Sequence, residues 1–141
     1  MSPIATPSHR QVSLGLLVLR VIAGVIFAAH GAQKLFVFGL DGVTGGFAGM
    51  GIPLPAIAAP AVALAELVGG LALIAGVLTR ITGTGLAITM LGAIGFAHLS
   101  SGFFAPNGYE FPLALFGISA AFALAGAGDL SVDAALARRK R

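Results

Sequence analysis

Cysteine is absent from the 141 residues. That excludes disulfides, thiolate metal centres and a thiol nucleophile supplied by this chain, so any thiol chemistry belongs to a substrate or a partner. Charge is scarce too. Asp, Glu, Lys and Arg make up 9% of the residues, against roughly 25% in ordinary soluble domains. So few charges cannot cover the surface of a water-soluble fold. There is no Walker loop, no GxGxxG after a strand and no haem-attachment motif. No HxxxH or HxxE spacing gathers ligands on one helix, so no metal is assigned. A basic stripe interleaved with aromatics is also missing. Half of the eight Lys and Arg sit in the last four residues, Arg138, Arg139, Lys140 and Arg141. Nucleic acid is therefore not an expected partner.

What the chain does have is apolar length. Hydrophobic residues reach 57% and the mean hydropathy is +1.01. The net charge of +3 and the pI near 10.2 come largely from the terminal basic cluster. Beside an apolar helix, that cluster reads as a cytoplasmic membrane flank. A helix needs around 20 apolar residues to cross a hydrocarbon core about 30 Å thick. Four stretches approach this: Leu14–Phe38, Ala56–Thr79, Ile81–Phe103 and the shorter Phe111–Ala127. The expected fold is all-α, an integral membrane four-helix bundle. A polar lead, 1–13, precedes the bundle domain, 14–136, and a basic tail, 137–141, follows it. A cleavable signal peptide is not expected, because Arg20 breaks the first run and His30 and Lys34 stand where cleavage would fall.

Four spans put both termini on one side. That side holds Arg10, Arg80 and the basic tail, whereas the opposite loops hold Asp41 and Glu110, so both termini are expected in the cytoplasm and the chain in the cell's inner membrane. The first outer connection, FGLDGVTGGFAGMGIPLP (Phe38 to Pro55), is long and Gly-rich. It reads equally as a re-entrant or capping segment and as a mobile surface loop. Gly69 and Gly70 lie on nearly the same face as Glu66, a surface that lets another helix approach closely.

Charged side chains inside a span are costly and should face the bundle interior with partners. The residues concerned are Arg20, His30, Lys34, Glu66 and His98. With a rise of about 1.5 Å per residue, His30 lies roughly 12 Å and Lys34 roughly 6 Å below Phe38. Glu66 falls roughly 13 Å and His98 about 7 Å below the same end of their own spans. Two layers are expected, His30 with Glu66 and Lys34 with His98. Tyr109 and Glu110 close the site from the outer loop. Arg20, roughly 27 Å down, is placed near the cytoplasmic face, as an anchor or a lipid-phosphate site. At about 100° per residue, His30 and Lys34 are near enough in rotation to look into one cavity. Each has a plainer alternative. Lys34 can snorkel to the interface, Glu66 can be a structural acceptor, and His98 can be a satisfied core histidine.

The motifs in order resemble the DoxX family of membrane proteins, over about Leu14 to Leu136. The first span, LRVIAGVIFAAHGAQKLF, carries the Arg, Gly, Phe and HGxxK pattern at Arg20, Gly24, Phe27, His30, Gly31 and Lys34. The second, AELVGGLALIAGVLTR, is similar to the family's ExxGGxxLxxGxxTR at Glu66, Gly69, Gly70, Leu73, Gly76, Thr79 and Arg80. His98 with the following GFF, then Gly108 and Glu110, and the terminal GAGDLSVD with Gly128, Ser131 and Asp133, complete the likeness.

The resemblance implies a four-helix membrane protein and a quinone- or thiol-linked redox component. The related DoxD branch is the membrane subunit of a thiosulfate:quinone oxidoreductase. On that reading His30 and His98 donate bonds and protons to a quinone and Glu66 orients His30. Lys34 attracts an anionic sulfur donor or stabilises a quinol anion. Phe27, Phe36 and Phe96 line the apolar part, and Arg20 and Arg80 serve lipid phosphates or structure. Quinone is the expected ligand, and a redox partner protein is compatible with it. The competing classes are a non-catalytic assembly subunit and a small-solute or proton carrier. A continuous polar track from the outer cluster to Arg20 would mark the carrier.

Overall fold

The computed structural model describes residues 6–140. The first five residues of the polar lead and Arg141 of the basic tail lie outside the described residues. Every regular element among the described residues is helical. Helix α1, His9–Ala32, starts at a capping box. Ser8 Oγ accepts from the Gln11 amide at 3.3 Å, and Gln11 Oε1 accepts from the Ser8 amide at 2.7 Å. The helix continues as a π-helical stretch, Gln33–Phe38. Gly39, with φ 71°, then bends the chain into α2, Gly39–Gly49. Helix α3, Pro55–Ala75, begins with proline in its first turn, where the missing N–H costs nothing. Helix α4, Thr79–Gly92, also runs into a π-helical stretch, Ala93–His98, and a 3-10 turn, Leu99–Ser101. Helix α5 is Glu110–Ala125 and the short α6 is Val132–Arg139.

Three helical stretches are long and apolar enough to cross a membrane: His9–Gly49, Pro55–Ala75 and Thr79–Ser101. Helix α5 is apolar and shorter, at 16 residues. The four apolar helices pack as two close pairs, α1 on α3 and α4 on α5, joined where α3 meets α4. Helices α1 and α5 barely touch. The Gly-rich connection is a helix, α2, which packs over α3 and buries Val43. It therefore caps the bundle as an ordered element.

The interior combines small and polar groups with a few large apolar side chains such as Phe27, Leu73 and Phe122, while many other large apolar side chains face out. Ile22, Phe36, Leu71 and Leu124 are exposed, whereas Ala23, Ala59, Ala63, Arg20 and Glu66 are buried. This arrangement fails in water and suits lipid, where helix contact is driven by close packing of small residues. A Cβ built on Gly24 would lie 2.6 Å from the Gly70 carbonyl oxygen, and one on Gly31 would overlap the Leu67 backbone. At the other pair, a Cβ on Gly83 would lie 2.7 Å from the Ser119 carbonyl oxygen. Each crossing thus depends on hydrogen in place of a side chain.

The end of the bundle that carries α6 is tied by a polar knot. Arg20, 2% exposed, donates to the carbonyls of Ile74 (3.3 Å), Ala127 (2.8 Å) and Leu130 (2.7 Å). It holds the last turn of α3 to the segment after α5. These bonds use three of its five N–H groups on a buried side chain, which supports the structural reading over the lipid-phosphate one. Asp133 accepts from the Leu78 amide at 2.8 Å and the Thr79 amide at 2.9 Å, capping α4 from another helix. The Asp133 amide donates to the Gly76 carbonyl at 2.9 Å. Gly76 ends α3 at φ 70°, with Arg20 and Ser131 pressed against it, so only glycine fits. Ser131 caps α6 through the Ala134 amide at 3.1 Å. Arg80 is exposed and lies beside Gly126.

Candidate functional site

At the opposite end, the two π-helical stretches carry Lys34 and His98. A π-turn inserts one residue into a turn, widens the helix and rotates the residues beyond it; such turns recur at functional sites. Lys34 turns inward and its ammonium pairs with the Glu66 carboxylate. The Lys34 side chain is 19% exposed and that of Glu66 5%. The snorkelling alternative for Lys34 is thereby replaced by an interior ion pair.

The layers expected from helical rise are not the ones formed. Glu66 bonds Lys34, whereas His30 Nδ1 donates to the Ile26 carbonyl of its own helix at 2.9 Å. The physical reason is twofold. A lysine side chain spans a full helical turn of depth, which rise alone ignores. A buried carboxylate also gains more from an ammonium than from a neutral ring. His98 likewise donates from Nδ1, to the Asn107 carbonyl at 2.8 Å. A carbonyl can only accept, so each ring donates from Nδ1, and Nε2 makes no hydrogen bond among the described residues.

Two cavities meet at this cluster. One, of about 250 Å³, lies where α1 and α5 stand apart; it is lined by Phe27, His30, Lys34, Glu66, His98 and Phe111 among others. The other, of about 370 Å³, lies beneath α2 between α3 and α4, with Phe47, Met50, Val62, Ile88 and Phe96 on its walls. Lys34, Glu66, Ala93 and His98 border both. The ion pair and His98 therefore form a partition between a histidine chamber and an apolar chamber.

The remaining sequence candidates separate. Phe27, 1% exposed, floors the histidine chamber, and Phe96 borders the apolar one. Phe36 is 78% exposed and faces away from both. Tyr109, at the end of the connecting loop, and Glu110, the first residue of α5, line neither chamber. Tyr109 meets Phe103 edge-on at 5.3 Å, and Glu110 Oε1 accepts from the Ala105 amide at 2.6 Å. The capping alternative for the Gly-rich connection is the one α2 fits, whereas sequence reasoning missed the partition residue Ala93 and the floor residues Met90 and Leu115. No polarity signal marks any of them. Between this cluster and Arg20 lies a buried apolar plug that includes Ala23, Phe27, Leu73, Leu86 and Met90.

Comparison with known proteins decides the family. The family model described as DoxX matches residues 15–99. The chain belongs to the DoxX family. A protein of Bacillus subtilis (strain 168) named "Putative oxidoreductase CatD" is 35% identical over 125 residues, covering 89% of this chain and 89% of that protein. No solved structure matches the chain. With its apolar helices, this DoxX protein is a membrane protein. The DoxX match spans the residues of the ion pair, both chamber histidines and Arg20.

Proposed function

We propose that the chain is a membrane component of a quinone-linked oxidoreductase that takes electrons from a sulfur donor of the thiol type. The observation that carries this reading is the buried Lys34–Glu66 pair set between a histidine chamber and an apolar chamber. The similarity to a protein named as an oxidoreductase supports the reaction class. The overall chemistry balances without a resident cofactor. Two thiols give one disulfide, two protons and two electrons, and the quinone takes up both electrons and two protons to become the quinol.

The residues divide the work by their protonation. His30 and His98 spend Nδ1 on backbone carbonyls, and on this reading their Nε2 atoms accept protons from the donor as it is oxidised. The Lys34 ammonium donates to a quinone carbonyl oxygen and stabilises the negative charge that develops there. Glu66 holds that ammonium in place. The apolar plug between this cluster and Arg20 interrupts any polar track through the bundle, which disfavours a carrier. On this reading both termini lie on the cytoplasmic side, because Arg10, Arg80, Arg138, Arg139 and Lys140 gather at the knotted end. The chambers then open toward the outer face.

The test is turnover in proteoliposomes with glutathione as thiol and ubiquinone-1 as acceptor. Quinol should form faster than in protein-free vesicles, and His98→Ala should lower the rate by about tenfold or more. A rate equal to the protein-free one would contradict catalysis by this chain and favour a non-catalytic assembly subunit.

A further inference from the structure

We infer that the quinone ring occupies the apolar chamber beneath α2, with its tail leaving between α3 and α4, while the histidine chamber stays open for the second reactant. This placement rests on the quinone reading above and adds to it a division of the two reactants across the ion pair.

Three features sort the reactants. The first is hydrogen-bond polarity. A quinone carbonyl only accepts, so it does not match a ring nitrogen that carries no proton. The Lys34 ammonium does match; it borders both chambers, as His98 does, so His30 is the one of these groups confined to the histidine chamber. A thiol brings a proton, which a free Nε2 can take. The second is access. The rim residues Ile88 (64% exposed), Phe96 (48%) and Met50 (44%) lie on the outer apolar surface, where a hydrocarbon tail can run into lipid. The histidine chamber instead has its mouth at exposed His30, Phe111 and the loop residue Pro106. The third is size: the apolar chamber, at about 370 Å³, is the larger, and its volume lies in the range of small-molecule sites, about 300–1,000 Å³. Helix α2 supplies the roof through Phe47, with Met50 at its C-terminal cap, which gives that helix a purpose beyond connection.

Gly92 provides a clean obstruction. It lies on the wall of the apolar chamber only, and a Cβ built there meets nothing within 4 Å. Wild-type protein in nanodiscs is photolabelled with a short-chain azidoquinone and the adducts are mapped by mass spectrometry. Adducts are expected within 47–62 and 88–97. Gly92→Leu should weaken ubiquinone-1 binding by about tenfold or more, whereas Phe111→Trp, at the other mouth, should change it by less than about twofold. Saturating ubiquinone-1 should leave the rate of His30 modification by diethyl pyrocarbonate unchanged.

Adducts within 106–115, protection of His30, or normal quinone binding by Gly92→Leu would overturn the placement while leaving the quinone reading standing. If Gly92→Leu fails to fold, the wild-type adduct map and His30 protection still decide. Absence of any labelling or binding in wild-type protein overturns both, and is distinguished from a relocated label.

Discussion

A carboxylate buried among apolar helices must find a cation or lose its charge. Glu66 finds Lys34, and neither has another side-chain partner among the described residues. Removing one member strands the other in a medium that cannot solvate it. Glu66→Ala is therefore expected to destabilise the protein by about 3–5 kcal/mol. The double variant Glu66→Ala, Lys34→Met should recover most of that loss, because no unpaired charge remains. Thermal unfolding in detergent checks both; equal melting of the single and double variants would contradict the pairing. The inward direction of Glu66 was legible in the sequence, since a lone carboxylate in an apolar run has nowhere else to go. Its partner was not. Helical rise places Cα atoms, whereas the contact depends on how far a side chain reaches and on a π-turn that no composition announces. His30 shows the same limit: its ring satisfies Nδ1 on its own helix at Ile26, a local bond that competes with any cross-helix partner.

At the scale of elements, the terminal GAGDLSVD stretch is an assembly device. Asp133 caps α4 across space and its amide binds the end of α3, while Arg20 gathers the carbonyls around them. Burial alone pushes the Asp133 carboxyl up. The Thr79 and Leu78 amides that donate to it, with the nearby Arg20 charge, outweigh burial and hold it below the ordinary carboxylate range. Its folded value is thus lower than its unfolded one. The stabilisation is fully present above the unfolded value of about 3.9 and is lost as the pH falls through the lower folded value. Wild-type melting temperature should fall toward that of Asp133→Asn as the medium is acidified below about pH 4, and the two should differ most near neutrality. A constant gap between them down to about pH 3 would contradict the cap. The family pattern made these residues visible, but their roles required the chain ends to be seen together. Two residues with unusual backbone, Leu54 (φ 49°) and Leu78 (φ 47°), precede α3 and α4. Asp133 explains Leu78, whose amide it receives; nothing in the structure explains Leu54.

The whole molecule is organised inside out relative to a soluble domain, and this was the most legible property of all. Low charge, long apolar runs and glycines at helical spacing point to one solution, helices that touch through small residues and face lipid with large ones. The all-α class and the DoxX family both follow from patterns repeated along the chain, so an error at any one position does not disturb them. The chambers were not legible to the same degree, because a cavity is defined by what neighbouring helices fail to fill. Orientation can be checked directly, since the chain has no native cysteine to interfere. In intact cells a membrane-impermeant maleimide should label Asn107→Cys, and should reach Ala137→Cys only after permeabilisation. The reverse pattern would invert the proposed topology.

If the partitioned polar cluster holds a quinone, gently purified protein must carry one. Solvent extraction with absorbance and mass detection measures this for wild type and for the double variant Glu66→Ala, Lys34→Met. Quinone near one per chain is expected in the wild type, and its loss is expected in the folded double variant. Wild-type protein that carries no quinone and takes none up on addition would refute the quinone reading.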